Sequence, residues 1–276
     1  MIFDGKKLAR EILAEIKKET IGWKTKPTMA VVSLGEKSDN SSYIKQKKET
    51  ALELGFGFKH FHFDPPVTTS GLSAELNKLA KRKDINGMVI QLPLPDHIKL
   101  SVFNIIPPEK DVDLLSDRAA GSFFNGRSLI DPPTPAAIIH ILEKSNIDIR
   151  GKTIAVFGFG RLVGRFLTPM LVRVGAIVII IEKNTPPNLV MEFSLKSDII
   201  ISAVGRSETI KADMVKEGAV VVDAGFSLVD NNIVGDVDFN LVKDKASLIT
   251  PVPGGVGPVT VALLFKNIVK LYENNR

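Results

Sequence analysis

A lysine is the first residue of this chain that invites chemistry. Tyr43 and Lys47 stand four residues apart in the stretch 40–54, whose apolar spacing predicts a helix, so the two share one helical face. A free lysine titrates near about 10.4 and is a poor base at neutral pH. Burial or a neighbouring cation lowers that value enough for proton transfer. Spacing alone leaves Lys47 open to a plainer reading as one of the surface lysines at 45, 47 and 48. Gln91 puts a polar side chain near the end of the apolar run 87–92 (GMVIQL), just before Pro93-Leu94-Pro95. It reads either as a site residue or as a structural hydrogen bonder at a strand end. Asp111 and Asp113 share one side if their segment is extended. One of them can grip a guanidine-like ligand edge; both can equally be solvated loop carboxylates.

A second group of residues suits phosphate. Residues 153–157 (TIAVF) read as a strand, followed by Gly158-Phe159-Gly160-Arg161-Leu162-Val163-Gly164 and a helix to about Val174. The next strand, 176–181, ends on Glu182. Two glycines allow a tight turn and close approach to a pyrophosphate; the third allows close helix–strand packing. The spacing is GxGxxxG, a variant of the commoner GxGxxG, and a purely structural turn is the competing reading. Glu182 stands where a carboxylate accepts hydrogen bonds from the adenosine ribose and repels a 2′-phosphate, which favours NAD. Lys183 and Arg161 lie beside it and can neutralise such a phosphate, so the residues leave NAD and NADP both open.

These side chains need a frame, and the chain supplies one by alternation. Strand-like runs at 29–34, 58–63 and 87–92 alternate with helical runs at 40–54 and 73–81. Asn40 or Ser41 can start the first of those helices, and Gly55 stops it. Pro93, Pro95, Pro107 and Pro108 then break the chain into loops. Composition shifts at 131–135 (DPPTP), where Thr134 can cap the next helix with Pro135 in its first turn. The expected fold is α/β with parallel sheets, in two domains with a cleft between them. Residues 1–135, completed by a last helix within 259–276, form one domain; 136–258 form a Rossmann-like dinucleotide-binding domain.

Bulk properties narrow the class. At 276 residues, 44% apolar and 24% charged, the chain suits two modest globular domains. It has no cysteine, which excludes a disulfide scaffold, a thiolate zinc site and a cysteine nucleophile, and fits a reducing, cytoplasmic compartment. The first residues lack the apolar stretch of a signal peptide, and apolar runs such as 176–181 are too short to span a bilayer. The net charge of +5 is dispersed and only 7% of residues are aromatic, which argues against nucleic acid. Ordinary solvated surface lysines account for it, and attraction of an acidic small substrate is the milder functional reading. His60, His62, His97 and His140 form no HExxH or compact cluster, so no metal is expected. A P-loop and a serine-hydrolase elbow are also missing.

The helix Tyr43-x-x-x-Lys47 and the segments 87–95 (GMVIQLPLP), 108–113 (PEKDVD), 235–239 (GDVDF) and 250–260 (TPVPGGVGPVT) follow one another in a single order. That set resembles the bifunctional methylenetetrahydrofolate dehydrogenase/methenyltetrahydrofolate cyclohydrolase family, from Asp4-Gly5-Lys6 to the last helix. The resemblance implies that a methylene-folate is oxidised with a nicotinamide dinucleotide, NADP by family default, and that the methenyl product is hydrolysed to 10-formyltetrahydrofolate for purine biosynthesis. It implies Lys47 as the catalytic lysine, Gln91 as its hydrogen-bond partner, Asp113 as the pterin holder and Tyr43 packed on the folate. Leu92 falls in the substrate-binding stretch. Pro253, Gly254 and Gly255 would lie near folate and nicotinamide. Gly158, Phe159, Gly160, Gly164, Glu182, Lys183, Phe226 and Thr260 occupy cofactor positions, and a homodimer joined through the dinucleotide domains is implied.

Departures cluster on the cofactor side. Phe159-Gly160 replace a small or basic residue and serine, Glu182-Lys183 replace His-Ser, and Gly225-Phe226-Ser227 replace Gly-Ile-Asn. Leu114 replaces a glycine after the KDVD aspartate, Pro133 replaces a cysteine, and Ser38-Asp39-Asn40 replace Pro-Ala-Ser. Two rival readings follow. One is a folate binder or cyclohydrolase with a decayed cofactor site; the other is a nicotinamide enzyme acting on an amino or hydroxy acid, which has no need of QLPLP or PVPGGVGP.

Overall fold

The computed structural model describes residues 1–35, 42–64, 66–230 and 232–275. The expected cap residues Asn40 and Ser41, and the replaced triplet Ser38-Asp39-Asn40, lie outside the described residues. The chain divides into two compact units, Glu11–Pro133 with Val261–Arg276, and Met1–Arg10 with Thr134–Thr260.

Helix α1 (Gly5–Thr20) opens the chain and buries Ile12, Leu13 and Ile16 at the spacing of one helical face. Then β1 (Thr28–Leu34), α2 (Ser42–Leu54), β2 (Gly57–Phe63), α3 (Thr69–Ala80) and β3 (Gly87–Ile90) alternate. The strands form a parallel sheet in the order β2-β1-β3, each joined to the next through a helix, as parallel pairing requires. The central strand β1 is buried from Met29 to Val32, which is why it reads as an unbroken apolar run. Gly55, at φ +70°, ends α2 in a left-handed conformation that glycine adopts without strain. Helix α3 begins four residues before the predicted Ser73, because Thr68 caps it by accepting from the Gly71 N–H at 3.1 Å. Strand β3 stops at Ile90, yet the Gln91 N–H still bonds Val32 O at 2.7 Å. Gln91 thus sits one residue past the strand, at the carboxyl edge of the sheet. Helix α4 (Asp117–Phe124) follows, capped by Ser116.

In the second unit, α5 spans Pro133–Lys144. Thr134 is therefore inside the first turn rather than its cap, because the helix starts one residue ahead of it. Beyond lie β4 (Thr153–Phe157), α6 (Gly164–Arg173), β5 (Ile177–Ile181), α7 (Pro187–Lys196), β6 (Ile199–Ser202) and β7 (Val220–Asp223). A hairpin, β8 (Ser227–Val229) with β9 (Asn232–Val234), precedes α8 (Phe239–Val242) and β10 (Leu248–Ile249). The five parallel strands run in the order β10-β7-β6-β4-β5. Strand order reverses about β4: the chain leaves it first toward β5 and later returns on its other side as β6. Open α/β sheets bind ligands at such a switch point, outside the carboxyl ends of the strands. The last helix, α9 (Val256–Asn274), starts three residues before the predicted Val259. Its Asn267 amide donates to Val112 O at 3.0 Å and Asp131 O at 2.7 Å. Gly87 makes room for it: a Cβ there would stand 2.7 Å from Ile268 Cδ1.

Candidate active site

Lys47 is 8% exposed, and its ammonium donates to Gln91 Oε1 at 2.8 Å. Helix α2 carries Tyr43 one turn earlier, and the lysine nitrogen lies 5.9 Å from the centre of the Tyr43 ring, in cation–π range. Gln91 is held in turn by its own amide, which donates to Leu92 O at 3.0 Å. That bond fixes which end of the carboxamide meets the lysine. Leu92 is half-buried and packs on the apolar core between β1, β3 and α3. Burial holds the Lys47 ammonium below its ordinary range, and the charge of Asp113 opposes the shift. Burial likewise raises the Tyr43 phenol.

The acidic pair separates into two roles. Residues 112–113 lie in a turn in which the Leu114 N–H donates to Asp111 O at 3.3 Å, so the segment is not the extended strand that would place Asp111 and Asp113 on one side. Asp111, 1% exposed, accepts from the backbone N–H groups of Leu115 at 3.2 Å and Ser116 at 2.8 Å, and so ties the loop down. Asp113 is left half-buried in the field of Lys47. Burial pushes its carboxyl up to about 6, with Lys47 opposing and Asp111 adding to the rise. Leu114, where the resemblance expects glycine, has φ +55° and no exposed surface, so the turn keeps its left-handed shape with a buried side chain inside it. Tyr43, Lys47, Gln91 and Asp113 therefore form one constellation, a buried amine shifted below its ordinary range by desolvation, beside an amide acceptor and a carboxylate.

The glycine turn has a dinucleotide-binding shape. Gly158 lies at φ +91°, and a Cβ on Gly164 would stand 2.1 Å from Gly158 O, so the start of α6 fits against the turn only as glycine. At Gly160 a Cβ would meet open space. Glu182 follows β5, and its carboxylate accepts the backbone N–H of Phe159 within the turn. The Glu182 carboxylate, expected at the ribose, is thus engaged inside the turn itself. Phe159 (39% exposed), Lys183 and Phe226 (36% exposed) are on the surface. Beside Phe226, the buried Ser227 Oγ has no hydrogen-bond partner among the described residues, an orphan polar atom that a bound ligand can satisfy. The turn and this orphan hydroxyl fit a nicotinamide dinucleotide.

Pro253, Gly254 and Gly255 lie in the loop ahead of α9. Gly254 is at φ +111°, and a Cβ on Gly255 would meet Pro251 O at 2.6 Å, which accounts for the glycines of PVPGG; a Cβ on Gly5 would in turn meet Gly255 O at 1.9 Å. Thr260 donates to Val256 O at 3.2 Å and to Thr134 Oγ1 at 3.5 Å. His60 Nε2 and His62 Nδ1 both bond Ser33 Oγ, at 2.8 and 2.9 Å. No group of three or more potential ligands for a metal ion is found among the described residues. Sequence reasoning missed the work of Asp111, Asp223 and Asp236. GDVDF was visible as a motif, but nothing in it told that Asp236 is fully buried.

A parallel sheet with a glycine turn at its switch point, together with a buried helical lysine bonded to Gln91 at the carboxyl edge of a separate sheet, defines a dinucleotide-dependent α/β enzyme. Residues 3–113 match the tetrahydrofolate dehydrogenase/cyclohydrolase catalytic domain, and residues 132–276 match the NAD(P)-binding domain of the same family. The chain belongs to the tetrahydrofolate dehydrogenase/cyclohydrolase family. It is 40% identical over 275 residues to the bifunctional protein FolD of Hydrogenobaculum sp. (strain Y04AAS1), covering 99% of this chain and 98% of that one. It is similar in structure to the bifunctional enzyme FolD of Campylobacter jejuni, with TM-score 0.92 and 35% identity over 100% of this chain and 99% of that one. It is also similar to the Trypanosoma brucei methylenetetrahydrofolate dehydrogenase-cyclohydrolase complexed with NADP and an inhibitor, with TM-score 0.94 and 31% identity over 100% and 98% of the two chains. No helix among the described residues is long and apolar enough to cross a membrane.

Proposed function

We propose that this chain oxidises 5,10-methylenetetrahydrofolate to the 5,10-methenyl form and hydrolyses that product to 10-formyltetrahydrofolate. The observation that carries the reading is the buried Lys47 bonded to Gln91 beside Asp113, in a chain of this family. The folate chemistry is assigned to the unit built on 11–133. A bound nicotinamide supplies the hydride acceptor for the first reaction; Gly158, Gly160, Gly164, Phe159, Phe226, Ser227 and Thr260 are assigned to hold the dinucleotide, with Glu182 and Lys183 at its adenosine end.

For hydrolysis, water adds to the methenyl carbon: a C–O bond forms and the water proton passes to the neutral Lys47 amine. The tetrahedral adduct then breaks its bond to N5 as the lysine returns the proton to that nitrogen, and its hydroxyl gives up the second water proton to solvent as the formyl C=O forms, so the methenyl cation and water yield the neutral formyl product and one proton. Gln91 Oε1 accepts from the lysine nitrogen and so aims it, and Asp113 accepts from the donor edge of the pterin. Tyr43 stacks on the folate ring. We assign Leu92 and Pro253–Gly255 to substrate binding.

The dinucleotide is NADP, supported by the NADP complex of the T. brucei relative. A second reading, NAD, is favoured by one observation: the Glu182 carboxylate sits on the Phe159 N–H, where its charge repels a 2′-phosphate. A homodimer is supported by β5, an edge strand whose Ile177 and Ile180 are 58% and 38% exposed, flanked by Val172 at 55% and Val174 at 44%. A cytoplasmic setting fits a chain without cysteine. The test is methylenetetrahydrofolate oxidation followed at the reduced-nicotinamide absorbance, with NADP and NAD in parallel, and methenyl hydrolysis measured separately. Hydrolysis with no reduction of either dinucleotide would reduce the function to a cyclohydrolase; neither activity would overturn the reading.

A further inference from the structure

Two buried carboxylates lie behind the carboxyl ends of β6 and β7, and neither belongs to the chemistry above. Asp236 has no exposed surface. Its Oδ2 accepts from Ser202 Oγ and the Val204 N–H, both at 2.7 Å, and its Oδ1 accepts from the Arg206 N–H at 2.8 Å. Asp223, 3% exposed, accepts from the backbone N–H groups of Gly225 at 2.9 Å, Asp236 at 3.1 Å and Val237 at 2.9 Å. The two interlock through glycines. A Cβ on Gly225 would stand 2.1 Å from Asp236 Cγ, and one on Gly235 would stand 2.0 Å from an Asp223 carboxylate oxygen. Each carboxylate thus occupies the space that the other's neighbouring glycine leaves open.

The loop that Asp236 holds is one wall of the switch-point crevice. Residues 203–206 follow β6, and β6 pairs with β4, whose own end is the Gly158 turn. The wall is close to that turn: a Cβ on Gly158 would stand 3.0 Å from Ala203 O. It is also close to the Phe226 segment, since a Cβ on Gly205 would stand 3.4 Å from Phe226 O. Val204 is 44% exposed and Phe226 36%, so the wall presents surface while its anchor is buried. Backbone N–H groups held by a buried carboxylate have little freedom to drift, because releasing them would leave a charge unpaired away from water.

We infer that Asp236, seated by Asp223, is a positioning residue for the dinucleotide: it fixes the 203–206 loop against the Gly158 turn without touching the cofactor itself. The inference rests on the functional reading above. In Asp236→Asn a carboxamide keeps only one of the two acceptor oxygens, so at least one of the three bonds is lost. Ser202→Ala removes one bond and leaves the carboxylate; Gly225→Ala presses a methyl group into it.

The experiment is calorimetric titration of the folded protein with NADP and with NAD, alongside methenyltetrahydrofolate hydrolysis, in wild type and the three variants. Asp236→Asn is expected to weaken the preferred dinucleotide about ten- to a hundredfold, the scale of one hydrogen bond to a charged group. Hydrolysis should stay within about twofold, since Lys47 lies in the other compact unit. Ser202→Ala and Gly225→Ala should move affinity in the same direction, and Ser202→Ala least. If Asp236→Asn does not fold, unchanged affinity in Ser202→Ala and Gly225→Ala overturns the inference. Equal losses of binding and hydrolysis across the variants also overturn it, since they mark a purely structural role. A wild-type protein that binds neither dinucleotide would sink the functional reading and this inference with it; wild-type binding with unaffected variants sinks the inference alone.

Discussion

Lys47 and Asp113 each draw their chemistry from burial, and each can be tested alone. Lys47→Met keeps the length and apolar stem of the side chain while removing the base. It is expected to lower methenyl hydrolysis by about a hundredfold or more, the usual contribution of a positioned general base, with the protein still folded by circular dichroism. Near-normal hydrolysis in that variant would remove Lys47 from the mechanism. Asp113 titrates at about 6 in the folded chain, against about 3.9 in an unfolded one. Between those values the native state holds a proton that the unfolded state has released, so stability falls as pH rises through that window. Asp223, also pushed up to about 6 by burial, adds a slope of the same sign. Asp113→Asn should therefore flatten, without abolishing, the change in denaturation midpoint between about pH 4 and pH 6. An unchanged slope would mean that the folded chain does not desolvate the Asp113 carboxyl.

At the scale of elements, glycines decide how closely helices meet strands. Gly164→Ala drives a Cβ to within 2.1 Å of Gly158 O, and the obstacle is backbone, so the turn itself must open. The expected outcome is loss of dinucleotide binding with methenyl hydrolysis retained, checked by titration and by the hydrolysis assay. Gly87→Ala pushes against Ile268 Cδ1 and Val112 Cγ1, which are side-chain atoms able to give way. That substitution should cost about 1–3 kcal/mol, the range for overpacking a core, read as a lower urea midpoint at unchanged slope. A neutral Gly87→Ala would show that α9 does not lie as close to β3 as its side-chain contacts indicate.

For the whole molecule, the exposed apolar edge at β5 is the feature that a lone chain explains least. An edge of four isoleucines and a valine invites pairing with another chain unless something covers it. Ile180→Lys should convert a dimer to a monomer in sedimentation velocity, because a charge on an apolar edge opposes its burial. Unchanged sedimentation of a dimeric wild type would move the interface elsewhere.

Much of this was legible in the chain. Alternating strand and helix runs, the GxGxxxG turn and the QLPLP and PVPGGVGP strings were enough for the α/β class and the family, because local periodicity and glycine placement depend on near neighbours in sequence. Helix starts at Thr69, Pro133 and Val256 were displaced from expectation, since capping and first-turn geometry shift boundaries without changing the pattern. Spacing alone could not choose between Asp111 and Asp113, or between Lys47 and its neighbours. Those choices depend on which side chains the fold removes from water and on partners far away in sequence, such as Gln91 for Lys47 and Ser202 for Asp236. The sequence by itself determined the alternation of strands and helices, the glycine turn and a candidate set that includes Tyr43, Lys47, Gln91, Asp111 and Asp113; the β8–β9 hairpin, the short β10 and the work of Asp223 and Asp236 emerged only in the fold. Tertiary structure alone decided which of them are desolvated and paired, and desolvation is what lowers the lysine and raises the aspartate from their ordinary values.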